Sequence, residues 1–209
     1  MALPTLRAFA YYMRMTKYDE QSATTKANLR EAFWILYSKD PSSRVTVGQV
    51  CEKAGYNRGT FYLHYQDIYE LRESIEAEVL EDMTSCVGRA LEKLSKSSSK
   101  LGKLAALTEV VRYYEKNRSY VEVFLRDNTN PHFIISLKTR LKPLWRKYLL
   151  KSTANRSEQE IDLILEYTLS GALFMISQWI ENPGDVSAQS LGQLVYDTAI
   201  RDIQVRIEG

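Results

Sequence analysis

The chain has 209 residues, 44% of them hydrophobic, and a formal net charge of +2. That is enough apolar material for one sizeable core, or for a small module joined to a larger one. Charge this near balance does not announce a nucleic-acid binder, and two cysteines with two distant histidines leave no metal-ligand spacing. No uninterrupted run of about eighteen apolar residues suggests a membrane span. The start, MALPTLRAFAYYMRM, lacks the apolar stretch of a signal peptide. The expected compartment is the cytoplasm, with Cys51 and Cys86 as reduced, buried thiols.

Glycine and proline are sparse, and apolar residues recur at three- and four-residue spacing, which predicts an all-α protein. Residues 1–23 are expected to form an N-terminal extension. In it Leu3, Leu6, Phe9, Ala10 and Met13 share a helical face, and a polar stretch from Lys17 to Thr24 follows. A first helix is predicted from Thr25 to Ser38, with Leu29, Ala32, Phe33, Leu36 and Tyr37 as its stripe and Asp40-Pro41-Ser42-Ser43 as its stop. Val47 to Ala54 reads as a short helix with Val47, Val50, Cys51 and Ala54 inward. Thr46 and Gln49 form its capping box, and Gly55 closes it. Asn57 caps a third helix from Arg58 to Tyr65, and Asp67 caps a fourth from Ile68 to about Leu94. Further helices are expected over Gly102–Asn117, Tyr120–Arg126, Phe133–Leu150 with a bend near Pro143, and from the Ser157–Glu160 capping box to Glu181. A turn is expected at Asn128–Pro131. Asn182-Pro183-Gly184 precedes a last helix, Ala188–Arg206.

Thr46 to Tyr65, TVGQVCEKAGYNRGTFYLHY, carries the functional signal. Two short helices joined by a glycine-containing turn make a helix-turn-helix, and Cys51, Ala54 and Gly55 are small where the helices cross. Phe61 is the expected anchor of the second helix, with Leu63 or Tyr65 beside it. Arg58, Gly59, Thr60, Tyr62 and His64 are left to meet DNA, with the helix N-terminus nearest the base edges. Up to Tyr65 there are nine basic and five acidic residues, a modest excess where the motif lies.

T-V-x-x-V-C-x-x-A-G-Y followed by N-R-G-T-F-Y-x-H-Y-x-D-x-x-E-L resembles the TetR family of bacterial repressors, over about Thr25 to Leu71. The resemblance implies a three-helix DNA-binding head, here 24–70, and a larger helical bundle, 71–209, that binds a small molecule and forms the dimer. It makes Tyr62 a phosphate ligand and sets His64 on the DNA side. Arg58 and Thr60 are expected at bases or phosphates, and Thr46, Tyr56 and Asn57 at the backbone. Ile68 stands where many relatives have a lysine, so no phosphate contact is assigned there.

The implied partners are a palindromic double-stranded operator, a second copy of the chain, and a small hydrophobic or aromatic effector. The aromatic-rich C-terminal region is expected to be mostly core, with any effector pocket near Tyr113, Phe124, Trp145 and Tyr148. The dimer is expected on Ile161, Ile164, Leu165, Leu169, Ala172, Leu173, Ile176 and Ile180, with Leu191, Leu194, Val195, Thr198 and Ile203 of the last helix. The competing reading is a DNA-binding regulator whose C-terminal domain holds a protein partner instead. An enzyme is not expected: the sequence offers no nucleophile–base pair, phosphate loop or catalytic residue, and calls for no cofactor.

Overall fold

Leu6 to Tyr37 contains no glycine or proline, and in the computed structural model it is one uninterrupted helix, α1, of 32 residues. The structure describes residues 6–41, 43–97, 99–126, 131–149, 156–201 and 203, with side chains from residue 19 onward except that of residue 100. The expected break at Lys17–Thr24 is therefore a correction. Lysine, glutamate, glutamine and alanine favour helix, and polarity alone supplies no breaker. Thr24 and Thr25 return their hydroxyls to the carbonyls of Glu20 and Gln21, each at 2.9 Å, so the helix satisfies them itself. The proposed face through Leu3, Leu6 and Met13 lies outside the described side chains, as do the middle of the Asn128–Pro131 turn and the end at Arg206.

The chain divides into two units, Met1–Ile75 and Glu76–Gly209. The first holds α1, α2 (Val47–Ala54), α3 (Arg58–Tyr62) and the start of α4 (Ile68–Lys96). Leu29, Ala32, Phe33 and Tyr37 of α1 are buried, as are Val50, Cys51, Phe61, Tyr65 and Leu71. Trp34, outside the predicted stripe, is buried too. Phe33 stacks on Tyr37 with ring centroids 5.2 Å apart. Asp67 Oδ1 accepts from the amides of Tyr69 (2.8 Å) and Glu70 (2.9 Å), which starts α4 where expected.

The second unit holds the rest of α4, then α5 (Lys100–Lys116), α6 (Arg118–Leu125), α7 (Pro131–Leu149), α8 (Glu158–Glu181) and α9 (Ala188–Val195). A π-helical turn, Tyr196–Ile200, continues α9; single-turn π segments interrupt helices and leave no periodic signature in sequence. α7 runs through Pro143 without ending. Charged pairs seam α7 to α8: Lys138 with Glu166, Lys142 with Asp162 at 3.5 Å, and Arg146 with Glu158 and Asp162. Such exposed pairs orient the helices more than they stabilise them. By length and composition α8 could cross a bilayer. Its Ile161, Leu165, Leu169, Leu173 and Ile180 are instead buried within the unit.

Candidate nucleic-acid interface

The α2–α3 corner is built from local chemistry. Thr46 Oγ1 accepts from the Gln49 amide at 3.4 Å, and Gln49 Oε1 accepts from the Thr46 amide at 2.9 Å, which closes the capping box. At the other end Gly55 takes φ 73° and ψ 27°, the left-handed region that favours glycine. There Gly55 N–H donates to Glu52 O and Tyr56 N–H to Cys51 O, so α2 stops and the chain turns. Asn57 Oδ1 then accepts from the Thr60 amide at 2.8 Å and from the Thr60 hydroxyl at 3.2 Å.

α3 is only five residues long, three shorter than the expected Arg58–Tyr65, because the chain tightens at once after Tyr62. Leu63 N–H donates to Gly59 O, while His64 and Tyr65 N–H both donate to Phe61 O. Phe61 is wholly buried. Burying such a side chain contributes about 1.5–3 kcal/mol, enough to root a helix too short to stand alone. Its neighbour in the core is Tyr65, with centroids 5.8 Å apart, whereas Leu63 is 78% exposed. The choice left open between them thus falls to Tyr65.

Opposite Phe61 lie the residues expected to meet DNA. Arg58 and Gly59 are exposed, Tyr62 is 56% exposed, and Thr60 and His64 are half-buried. Tyr62 holds its ring edge-on to Phe61 at 5.6 Å, which orients the phenol outward from a fixed base. Thr46 and Asn57 are exposed cap residues. Tyr56 is half-buried, its hydroxyl accepting from Asn28 Nδ2 at 3.0 Å, which ties the corner to α1.

Two glycines here have structural reasons as well. A Cβ on Gly59 would lie 3.1 Å from the capping oxygen of Asn57. A Cβ on Gly48 would lie 3.1 Å from Arg58 Nη2, so the guanidinium lies across the first turn of α2. Gly48 was not singled out from sequence. Only the glycine in T-V-G at that spacing hinted at it. Burial pushes the Cys51 thiol up, partly offset by Arg58, which fits a core residue rather than a reactive thiolate.

In the second unit, α4 through α9 surround a cavity of about 190 Å³. Tyr113 and Trp145 line it; Phe124 and Tyr148 do not. Phe124 stacks on Phe133 at 4.7 Å in the core, and Tyr148 is half-buried with Lys147 over its ring. Burial lifts the Tyr113 and Tyr114 phenols to about 12, so both are neutral at physiological pH. The Trp145 indole N–H is buried and has no acceptor among the described residues, an arrangement that costs about 1–3 kcal/mol while unmet.

The dimer surface expected on α8 needs correction. Ile161, Leu165, Leu169, Ala172, Leu173 and Ile180 are already buried within the chain itself, and Ile164 and Ile176 are half-buried. A helix apolar on nearly every side does not reveal in sequence which stripe faces inward. The outward stripe is Leu163, Tyr167, Gly171 and Phe174, with Tyr167 71% and Phe174 60% exposed. It borders an open groove that also takes in Ile135 and Lys138. In the last helix Leu191 and Ile203 are buried, Val195 is half-buried, and Leu194 and Thr198 are exposed.

Residues 104–200 match the family TetR_C_8, described as transcriptional regulator C-terminal region. Over 179 residues, 83% of its length, the chain is 22% identical to YxbF, an uncharacterized HTH-type transcriptional regulator of Bacillus subtilis (strain 168). It spans 44% of that relative's length. Among solved structures, a TetR transcriptional regulator from Streptococcus agalactiae 2603V superposes with a TM-score of 0.64 at 20% identity, covering 90% of this chain and 99% of that one. The dihydroxyacetone kinase operon activator DhaS follows at 0.54 and 21%, covering 88% and 96%. Likeness at such identity is likeness of fold.

Proposed function

This chain belongs to the TetR family of transcriptional regulators, and from that premise we propose that it is a homodimeric, operator-specific repressor released by a small-molecule effector. The observation that carries the reading is α3. Its one anchor, Phe61, is fully buried, and Arg58 and Tyr62 stand exposed on a helix whose start Asn57 caps. A helix of this size enters the major groove, where the Arg58 fork suits guanine O6 and N7. The Tyr62 phenol donates to a phosphate, with Thr46, Tyr56, Asn57 and the Gly59 backbone beside it. The Thr46 and Thr60 hydroxyls donate within the head, to Gln49 and Asn57, so each rotates away to reach DNA. His64 flanks the far end of α3.

A second copy docks through Leu163, Tyr167, Gly171 and Phe174 and presents two heads about 34 Å apart, which makes the operator an inverted repeat. The effector enters the cavity lined by Tyr113 and Trp145. Met83, Cys86 and Ala90 of α4 line it too, and α4 is the covalent link between the units, so a ligand that shifts α4 changes the head spacing. The protein works in the cytoplasm, without cofactor, membrane or catalysis. The groove at Ile135, Tyr167 and Phe174 favours a second reading, in which a different protein docks there and regulates the head.

Selection of bound duplexes from a random pool tests the main reading. An inverted repeat should emerge, bound with an affinity that falls steeply as salt rises, because phosphate contacts release counterions. Binding to random duplex as tight as to the selected site would overturn it.

A further inference from the structure

α1 is much longer than the head needs. Its buried residues begin at Leu29, and none of residues 19–28 is buried, so the helix leaves the core of the first unit before that point. It nonetheless continues unbroken back to Leu6, about 33 Å beyond Asn28 at a rise of ~1.5 Å per residue. Asn28 marks where it departs. Its Nδ2 donates to the Tyr56 hydroxyl at 3.0 Å, and Tyr56 directly precedes Asn57, the cap of α3. The projecting part therefore starts at the corner that holds the N-terminus of α3, the end of a recognition helix that lies nearest the bases. Positive charge is concentrated there as well. The first unit, residues 1–75, has ten basic and eight acidic residues. Arg7, Arg14 and Lys17 all precede the first acid, Asp19. From Asp19 to Ile75 seven basic residues meet eight acidic ones, so the whole positive excess of the unit lies in the projecting helix. The three positions recur at spacings of seven and three residues, which sets them on one side of a helix.

We propose that the projecting part of α1 is a DNA-binding arm that lies along the phosphate backbone beside the α3 corner, with Arg7, Arg14 and Lys17 as its charges. The proposal rests on the DNA-binding reading above and adds to it a second surface that is indifferent to base sequence. A duplex presents one negative charge per about 1.7 Å of its axis, and a head that is slightly acidic without the arm has no net attraction to it. Screening confines a solvent-exposed charge to about 8 Å at physiological salt, so the arm acts by contact rather than at a distance. A helix that its own body leaves uncovered is also marginal in water, and a partner along its length stabilises it. The other residues of the arm are mostly apolar or aromatic, which an anionic membrane surface would also suit. The tie of Asn28 to Tyr56 at the start of α3 favours DNA.

The test compares the full chain with a variant carrying Arg7→Gln, Arg14→Gln and Lys17→Gln, since glutamine removes the charge and keeps the helix propensity. Fluorescence anisotropy reads binding to the selected operator and to random duplex across a range of salt. Each phosphate neutralised contributes about 0.9 to the slope of log affinity against log salt, so the slope should fall by about 2–3 on both duplexes. At ~0.15 M salt the affinity should drop by about tenfold to a hundredfold, with the base preferences of the operator unchanged. Hydroxyl-radical footprinting should lose protected positions at the edge of the site and keep those over the recognition helix. Arg7→Lys with Arg14→Lys, which keeps the charge, should leave the slope as it was. Should the triple variant misfold, Arg14→Gln alone should still take about 0.9 from the slope. The proposal is overturned by an unchanged slope and footprint, by a loss confined to the operator, or by an equal loss in the charge-keeping variant. Binding to vesicles of anionic lipid that the triple variant loses, with DNA binding unchanged, would assign the arm to a membrane surface instead. A wild-type chain that prefers no duplex sequence sinks the DNA reading itself, whereas operator selectivity with a slope indifferent to the arm sinks the arm alone.

Discussion

Replacing Gly55 by alanine isolates a backbone effect, because a Cβ built at that position meets nothing within 4 Å. What remains is the positive φ of 73°. The left-handed region costs an L-residue about 1–2 kcal/mol, and alanine recovers roughly 0.4–1 kcal/mol by stiffening the unfolded chain, for a net loss of about 1 kcal/mol. Asparagine tolerates that region better, so Gly55→Asn should lose less. Gly184 offers an internal control: φ is 51° and its surroundings are equally open, but it lies in the second unit. Amide hydrogen exchange read by peptide mass should therefore show residues 46–65 exchanging about fivefold faster in Gly55→Ala, the factor that about 1 kcal/mol implies. Gly184→Ala should instead quicken exchange around α8 and α9. If Gly55→Ala left the head's exchange unchanged or slower, the left-handed turn would not be what glycine is there to provide.

Arg58→Ala should cost about 1–3 kcal/mol on the selected operator and relax preference at one base position, while Tyr62→Phe weakens binding to every sequence alike. Equal losses for Arg58→Ala on all duplexes, measured by fluorescence anisotropy, would make it a phosphate ligand. For the dimer, Phe174→Glu should bring the mass by sedimentation equilibrium down to the chain's 24.2 kDa with helicity retained. Leu173→Glu, on a side chain 7% exposed, should unfold the subunit. An intact Phe174→Glu dimer would move the interface elsewhere. Finally, Tyr113 and Tyr114 titrate near 12 against an ordinary 10.0, chiefly because burial disfavours the phenolate. The folded chain keeps protons that the unfolded chain has released, so stability is full below pH 10 and falls as pH climbs from 10 to 12. An absorbance titration should show a late phenolate phase near 12 that Tyr113→Phe diminishes.

Features decided within four residues of chain were legible from sequence. The Thr46–Gln49 and Ser157–Glu160 capping boxes, the Asn57 cap and the Gly55 turn need only their own segment to form, and the structure has all four. The all-helical class followed from periodicity for the same reason. Where the outcome depended on what lies opposite, sequence stopped short. Lys17–Thr24 looked like a boundary because it is polar, yet nothing in it breaks a helix. α8 offered apolar residues on nearly all sides, and only packing against the rest of its unit separated the buried Leu165–Leu169 side from the exposed Tyr167–Phe174 side. Phe124 and Trp145 were equivalent as aromatic residues. Tertiary structure stacked one on Phe133 and left the other lining a cavity. Local hydrogen bonds are written in neighbouring residues, but burial and voids are properties of distant segments brought together, and no single segment encodes them.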